Sequence, residues 1–210
     1  NRYYCAIDET QQLYCWGTND WGNYLGIDDV VHQSPTLAAP TKSWKSLVAG
    51  GRHTCALDLA NKGACWGNSN SGQIGGQGTA FAHTHNNIVG DFSPANTRDL
   101  SFKKLAAGTE HTCGISFSDK LYCFGGNQNG QLGISNHVYS QATIVAPEED
   151  FIDISLGERF TLAIRRDGTL HSTGKNHLGQ LGLGDSSNRG ELTQVGQSSG
   201  WQNIGAGESH

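Results

Sequence analysis

Apolar and polar positions alternate in short runs that recur along the chain. Residues 53–75, HTCALDLANKGACWGNSNSGQIGG, read as a short strand, a turn, a second strand ending Cys65-Trp66-Gly67, and a glycine-rich corner. The same order returns at residues 3–26, 111–133 and 160–182. Alternation of this kind predicts half-buried strands, and no helical period of convincing length competes with it. Cys5, Cys55, Cys113 and Leu162 stand at one phase of the pattern, with steps of 50, 58 and 49 residues between them. A period near 50 residues signals a repeat architecture.

A second signature precedes each later copy: an aromatic residue, then Leu or Ile three positions on, then Gly three further. It occurs as Trp44-Leu47-Gly50, Phe102-Leu105-Gly108, Phe151-Ile154-Gly157 and Trp201-Ile204-Gly207. Each unit therefore offers a hairpin, an aromatic-led strand before it, and a variable connection with room for a fourth strand. The expected organisation is one all-β domain over 1–210. Its repeats are 1–43, 44–101, 102–150 and 151–200, with 201–210 opening a further one.

The cysteines change the picture most. The six form three pairs, Cys5/Cys15, Cys55/Cys65 and Cys113/Cys123, at the same phase of three copies. In an antiparallel hairpin Cys55 falls opposite Cys65, Ala56 opposite Ala64 and Asp58 opposite Lys62, leaving the loop Leu59-Ala60-Asn61. The fourth copy has Arg166-Asp167-Gly168 there, with Gly where a left-handed residue is wanted. Opposed strand residues lie close enough for a disulfide. The fourth copy loses both cysteines together, as Leu162 and Ser172, which fits sulfurs bonded to each other. Zinc favours shorter Cys spacings. Six reduced, buried thiols are the alternative. Three disulfides imply an oxidising compartment, so the expected location is extracellular or secreted.

The remaining composition excludes more than it assigns. A net charge of -5 and a pI near 5.9 speak against a nucleic-acid surface. No apolar stretch reaches the length of a membrane span. With no methionine at all, the chain is expected to be a processed or partial product. The 29 glycines suit many tight corners.

The pattern Gly-x-x-His-Thr-x-Ala-Leu, then Trp-Gly-x-Asn-x-x-Gly-Gln-Leu-Gly, resembles the repeat of the regulator of chromosome condensation family. It is met by Gly50, His53, Thr54, Ala56 and Leu57, and by Gly174, Asn176, Gly179, Gln180, Leu181 and Gly182. The resemblance covers essentially the whole chain and implies a β-propeller of four-stranded antiparallel blades. It implies an arc of a larger ring. The alternative is a closed four-bladed ring, since residues 201–207 could supply the strand that the first copy lacks. Family members serve unrelated jobs: nuclear nucleotide exchange for a small GTPase, light sensing, ubiquitin-ligase association and secreted enzyme inhibition. The exchange-factor role needs a nucleus, where disulfides would be reduced.

No catalytic constellation stands out, and neither a metal nor a cofactor is expected. His53, His111 and His210 recur at one phase, exchanged for Tyr3 and Phe160, which reads as blade packing. Asp8 and Asp58 read as turn residues. Trp16, Trp66 and Phe124 share a phase and read as core, whereas Trp21 is out of phase and reads as exposed. The connection over 75–100 is the longest, and its Phe81, His83, His85 and Phe92 join Trp21 as the candidate binding residues. His83 and His85 could in principle share a metal, but loop histidines mostly sit in water. The leading expectation is an extracellular, disulfide-stapled scaffold that binds protein partners or builds a larger assembly. Binding or inhibiting an enzyme through one face is the alternative, and a carbohydrate-binding propeller a weaker one.

Overall fold

The computed structural model describes residues 3–19, 25, 27, 31–40, 42–75, 89–90, 100–134 and 138–208. Among them the ordered elements are strands, and they form four antiparallel sheets in chain order. Blade 1 holds β1 (Tyr3–Ile7), β2 (Leu13–Thr18) and β3 (Val31–Ala38). Blade 2 holds β4 (Trp44–Ala49), β5 (His53–Asp58), β6 (Gly63–Gly67) and β7 (Val89–Gly90). Blade 3 holds β8 (Phe102–Ala107), β9 (His111–Ser116), β10 (Leu121–Gly126) and β11 (Val138–Val145). Blade 4 holds β12 (Phe151–Leu156), β13 (Phe160–Arg165), β14 (Leu170–Gly174) and β15 (Arg189–Gln194). Each four-stranded sheet is a plain meander, and the variable connection supplies its last strand.

The hairpin register is the one the spacing predicts. Cys55 pairs with Cys65, Cys5 with Cys15, Cys113 with Cys123, and Leu162 with Ser172. The turns share one construction. Asp58 N donates to Lys62 O at 3.0 Å, and Asn61 N returns to Asp58 O at 2.9 Å. The third loop residue is left-handed in every copy: Gln11 (φ 66°), Asn61 (61°), Asp119 (63°) and Gly168 (82°). That residue then ties its blade to the next. The backbone N of Trp44, Phe102, Phe151 and Trp201 donates to the carbonyl of Gln11, Asn61, Asp119 and Gly168 in turn, at 2.8 to 3.2 Å. The turn thus sets both the hairpin register and the start of the following blade.

The apolar cores lie between blades. Trp44 at the blade 1–2 junction, Phe102 at the blade 2–3 junction and Phe151 at the blade 3–4 junction are all fully buried. Each opens the first strand of its blade, and a register shift follows it at once, at Ser46, Lys104 and Asp153. Such a bulge re-aims the following side chains, so the aromatic can face the preceding blade. Glycine is required where the third strand crosses the histidine position. Gly17, Gly67, Gly125 and Gly174 all have φ near 110°, and a Cβ on Gly67 would stand 2.8 Å from the His53 Cα.

β4, β8 and β12 pack side by side along the arc, with β1 against β4. The arc is open, which corrects the closed four-bladed alternative. The sheet order of blade 1 ends at β1, which among the described residues pairs only with β2. Residues 201–208 instead stay with blade 4, where Ala206 N donates to Ser155 Oγ at 2.9 Å and Glu158 N to Glu208 O at 2.7 Å. Two aromatics show the consequence. Trp201 is exposed where its equivalents are buried, and Trp16 is only half-buried, stacked at 6.0 Å on the exposed Tyr4. Trp66 and Phe124, at the Trp16 phase, are buried as core.

Candidate functional site

The arc has two ends along its axis, and each gathers a different set of side chains. One end carries the glycine-led corners that follow β4, β8 and β12. The other carries the hairpin tips and the starts of those same strands.

The corner end is consumed by structure. Tyr3 Oη donates its proton to the carbonyl of His53 at 2.6 Å and lies 3.1 Å from the carbonyl of Gly50, both in blade 2. His53 Nε2 meets Thr112 Oγ1 of blade 3 at 2.7 Å, and His111 Nε2 meets Thr161 Oγ1 of blade 4 at 3.0 Å. The threonine hydroxyls donate their single protons to the Gln73 and Gln131 carbonyls, at 2.8 and 2.7 Å. The histidines must therefore be the donors, which fixes their Nε2–H tautomer. Burial pushes both imidazoles down to about 3, so they are neutral at ordinary pH. A side chain at Gly50 or Gly108 would collide with the histidine ring and with the next blade's carbonyl. These histidines are latches between blades.

Below them lies a cleft of about 240 Å³, lined by Gly51, Thr109, Glu158 and Glu208 among others. Its backbone is largely committed to itself. Gly51 N donates to Gly108 O at 3.0 Å and Thr109 N to Glu158 O at 3.2 Å. Glu158 is held by Lys175 at 3.0 Å, and Arg159 reaches Glu110 at 3.5 Å. The cleft joins blades more than it presents reactive groups.

The glycine-rich corners explain the Asn-x-x-Gly-Gln-Leu-Gly pattern. Asn127 Oδ1 accepts from Leu132 N (2.9 Å) and its Nδ2 donates to Ile134 O (2.7 Å), while Gln131 Oε1 accepts from Asn129 N (2.9 Å). Asn176 and Gln180 repeat this in blade 4. These amides brace a loop from within.

The three disulfides, Cys5–Cys15, Cys55–Cys65 and Cys113–Cys123, each cross one hairpin with Cα atoms 4.1 Å apart. Asp8 and Asp58 are turn residues: the Asp8 carboxylate accepts from Thr10 N and Gln12 N, and Asp58 from Ala60 N and Lys62 N. Hydrogen bonding from the Gln12 backbone holds the Asp8 carboxyl below its usual range. Trp21, Phe81, His83, His85 and Phe92 lie outside the described residues, as does His210.

What repeat-based reading missed is the hairpin end. Leu59, Phe117 and Ile152 are exposed there on three successive blades, among Lys45, Lys103 and Arg166. A search for recurring residues passes over them because the tip position varies, from Glu9 through Leu59 and Phe117 to Arg166. Aligning the copies and asking which variable positions are apolar would have found the first two.

Comparison with known proteins places these repeats. Models of the regulator of chromosome condensation (RCC1) repeat match residues 102–131 and 151–180, and, in a second form, 118–164. The ultraviolet-B receptor UVR8 of Arabidopsis thaliana is 30% identical over 193 residues, covering 88% of this chain and 42% of the receptor. The probable E3 ubiquitin-protein ligase HERC4 of Mus musculus is 26% identical over 88% of this chain and 18% of the ligase. The chain thus spans less than half the length of either relative. Among solved structures, Prp20p from Saccharomyces cerevisiae, described with its binding to Gsp1p and histones, superimposes with a TM-score of 0.82 at 18% identity. The match takes in 99% of this chain and 52% of Prp20p. The blades here are therefore spaced as in about half of a longer propeller.

Proposed function

Because the chain is an open arc of an RCC1-like β-propeller, we propose that it works as an extracellular, disulfide-stapled scaffold that engages protein partners. On this reading it is a module of a larger chain or assembly, and it performs no catalysis itself. The observation that carries the reading is the division of labour between the two ends. The latches and cleft backbone of one end join blades, and its corner amides brace their own loops, with Leu178 exposed beside them. The other end leaves exposed side chains on three successive blades of a rigid frame. Rigid scaffolds with variable exposed positions are suited to recognition. The three cross-hairpin disulfides support an oxidising compartment.

The names of the relatives fit this class of work. Prp20p is described as binding other proteins, and the ligase is matched over too little of its length to lend its activity to this chain.

The test is topological and biochemical together. Intact source cells and their surrounding fluid are treated with a membrane-impermeant crosslinker, and crosslinked peptides are sequenced. The expected result is labelling of this protein from outside, with crosslinks to a defined protein partner. Labelling only after the cells are broken open would overturn the extracellular assignment. Absence of any protein crosslink alongside turnover of a small substrate would overturn the scaffold role.

A further inference from the structure

We propose that the hairpin end of blades 2 to 4 is a docking surface for an acidic polypeptide segment that carries apolar side chains. This rests on the interaction role above and names the face and the partner's chemistry.

The placement follows from the backbone. The bonds from Phe102 N to Asn61 O and from Phe151 N to Asp119 O bring each hairpin tip beside the start of the next blade's first strand. Tip residues and strand-start residues therefore share one end of the arc. Three large apolar side chains stand exposed there: Leu59 at 53%, Phe117 at 56% and Ile152 at 45%. Single exposed hydrophobics are ordinary, but three on consecutive blades at one end form a strip. Each leaves about half of its surface to solvent, while the junction aromatics Trp44, Phe102 and Phe151 fill the interior.

The charge around the strip is layered. At this end blade 2 and the start of blade 3 carry Lys42, Lys45, Lys62, Lys103 and Lys104 against Asp58 and Asp119. The far side of blade 3 carries Lys120 with Glu148, Glu149 and Asp150, in a chain whose net charge is -5. Where Lys42, Lys103 and Lys104 pair with carboxylates, the carboxylates lie underneath, whereas Lys120 lies beneath its more exposed partner Asp150. Lys42, Lys103 and Lys104 side chains are 38 to 45% exposed, whereas their partners Asp58, Asp119 and Asp153 are 10 to 19% exposed. Arg166 also pairs with Asp119 and is more exposed than any of the three lysines. At the blade 4 border, Glu149 and Asp150 balance Lys120, Arg165 and Arg166. A ligand approaching blade 2 and the start of blade 3 meets ammonium groups first, with the apolar side chains beside them.

That combination selects the partner. Tucked-in carboxylates leave a field too weak to hold a phosphate backbone on charge alone, and the strip gives a polyanion without apolar groups nothing to bury. An acidic segment with aromatic or aliphatic side chains satisfies both: apolar contacts supply affinity, and the basic rim sets orientation and on-rate.

The test uses fluorescence anisotropy with a labelled random copolymer of glutamate and tyrosine, with poly-glutamate and heparin as comparators. The copolymer should bind more tightly than either comparator and weaken as salt rises. Phe117→Ser, and separately Lys45→Glu with Lys103→Glu, should each weaken it about tenfold. Arg52→Glu, an exposed change at the corner end, should leave it unaltered, and near-ultraviolet circular dichroism should confirm folding of every variant. Tighter binding to heparin, poly-glutamate bound as well as the copolymer, equal loss with Arg52→Glu, or no binding at all would each overturn the proposal. A partner that crosslinks only through the corner end would overturn it too, while leaving the scaffold role standing.

Discussion

Blades 3 and 4 are built on one register but stabilised differently. In blade 3, Cys113 and Cys123 are opposed and bonded, and His111 reaches across to Thr161 of the next blade. In blade 4 the same positions are Leu162, Ser172 and Phe160, and the strands pair in the same way. Ser172 Oγ donates to the Leu181 carbonyl at 2.9 Å, and Asn176 and Asp185 brace the following corner. The disulfide is therefore an addition to a hairpin that alternation and turn geometry already define. What blades 2 to 4 share is the buried aromatic at the entry and the left-handed turn residue of the preceding blade that receives it.

The largest contrast should come from the entry aromatics. Phe151→Ala empties a fully buried site at the blade 3–4 junction and should cost about 3–5 kcal/mol. Trp201→Ala, at the same phase but exposed, should cost under about 1 kcal/mol. Urea denaturation of both variants checks this, and equal losses would show that the interior is not organised junction by junction.

Acid separates the blades next. His53 and His111 sit near 3 in the folded protein and near 6.5 when unfolded. Below pH 6.5 the unfolded chain binds protons that the folded chain refuses. Stability from this source is complete above pH 6.5 and declines as pH falls toward 3, by at most about 1.4 kcal/mol per pH unit for each histidine. His53→Phe with His111→Phe, copying Phe160, should flatten the stability profile between pH 6 and pH 4. An unchanged slope would place the acid sensitivity elsewhere.

The disulfide comparison is smaller. Cys113→Leu with Cys123→Ser converts blade 3 to the blade 4 pattern and should lower stability by about 2–3 kcal/mol in the loop-entropy account. The reverse exchange, Leu162→Cys with Ser172→Cys, should close a fourth bridge. It should gain less than that, because the Ser172 hydrogen bond is lost. Two thiols that stay free under oxidising conditions would contradict the register. Smallest is the turn: Asp58→Ala removes the carboxylate that accepts from the Ala60 and Lys62 backbone N–H groups and should cost about 1 kcal/mol by thermal melting.

Much of this architecture is legible in the residues. The joint loss of Cys at 162 and 172, and Gly168 at a turn that elsewhere uses Asn61 or Asp119, define the hairpin register before any coordinates. Substitution of Tyr3 and Phe160 for histidine marks that phase as packing. Three things are not legible. The partner of a latch, such as Thr112 for His53, depends on how neighbouring blades stagger, and a single repeat does not encode that. Exposure of Trp16 and Trp201 depends on which faces the arc leaves uncovered, although their phase reads as core. Leu59, Phe117 and Ile152 escape for the opposite reason: surface positions are free to vary, so periodicity carries no signal there.

The central claim is that the blades carry cross-hairpin disulfides in the protein as it occurs, and peptide mapping without reduction tests it most directly. After alkylation of free thiols at low pH, the account predicts three linked peptides, Cys5–Cys15, Cys55–Cys65 and Cys113–Cys123, and no alkylated cysteine. A bond between blades, or six alkylated thiols in protein taken from its native setting, would contradict it.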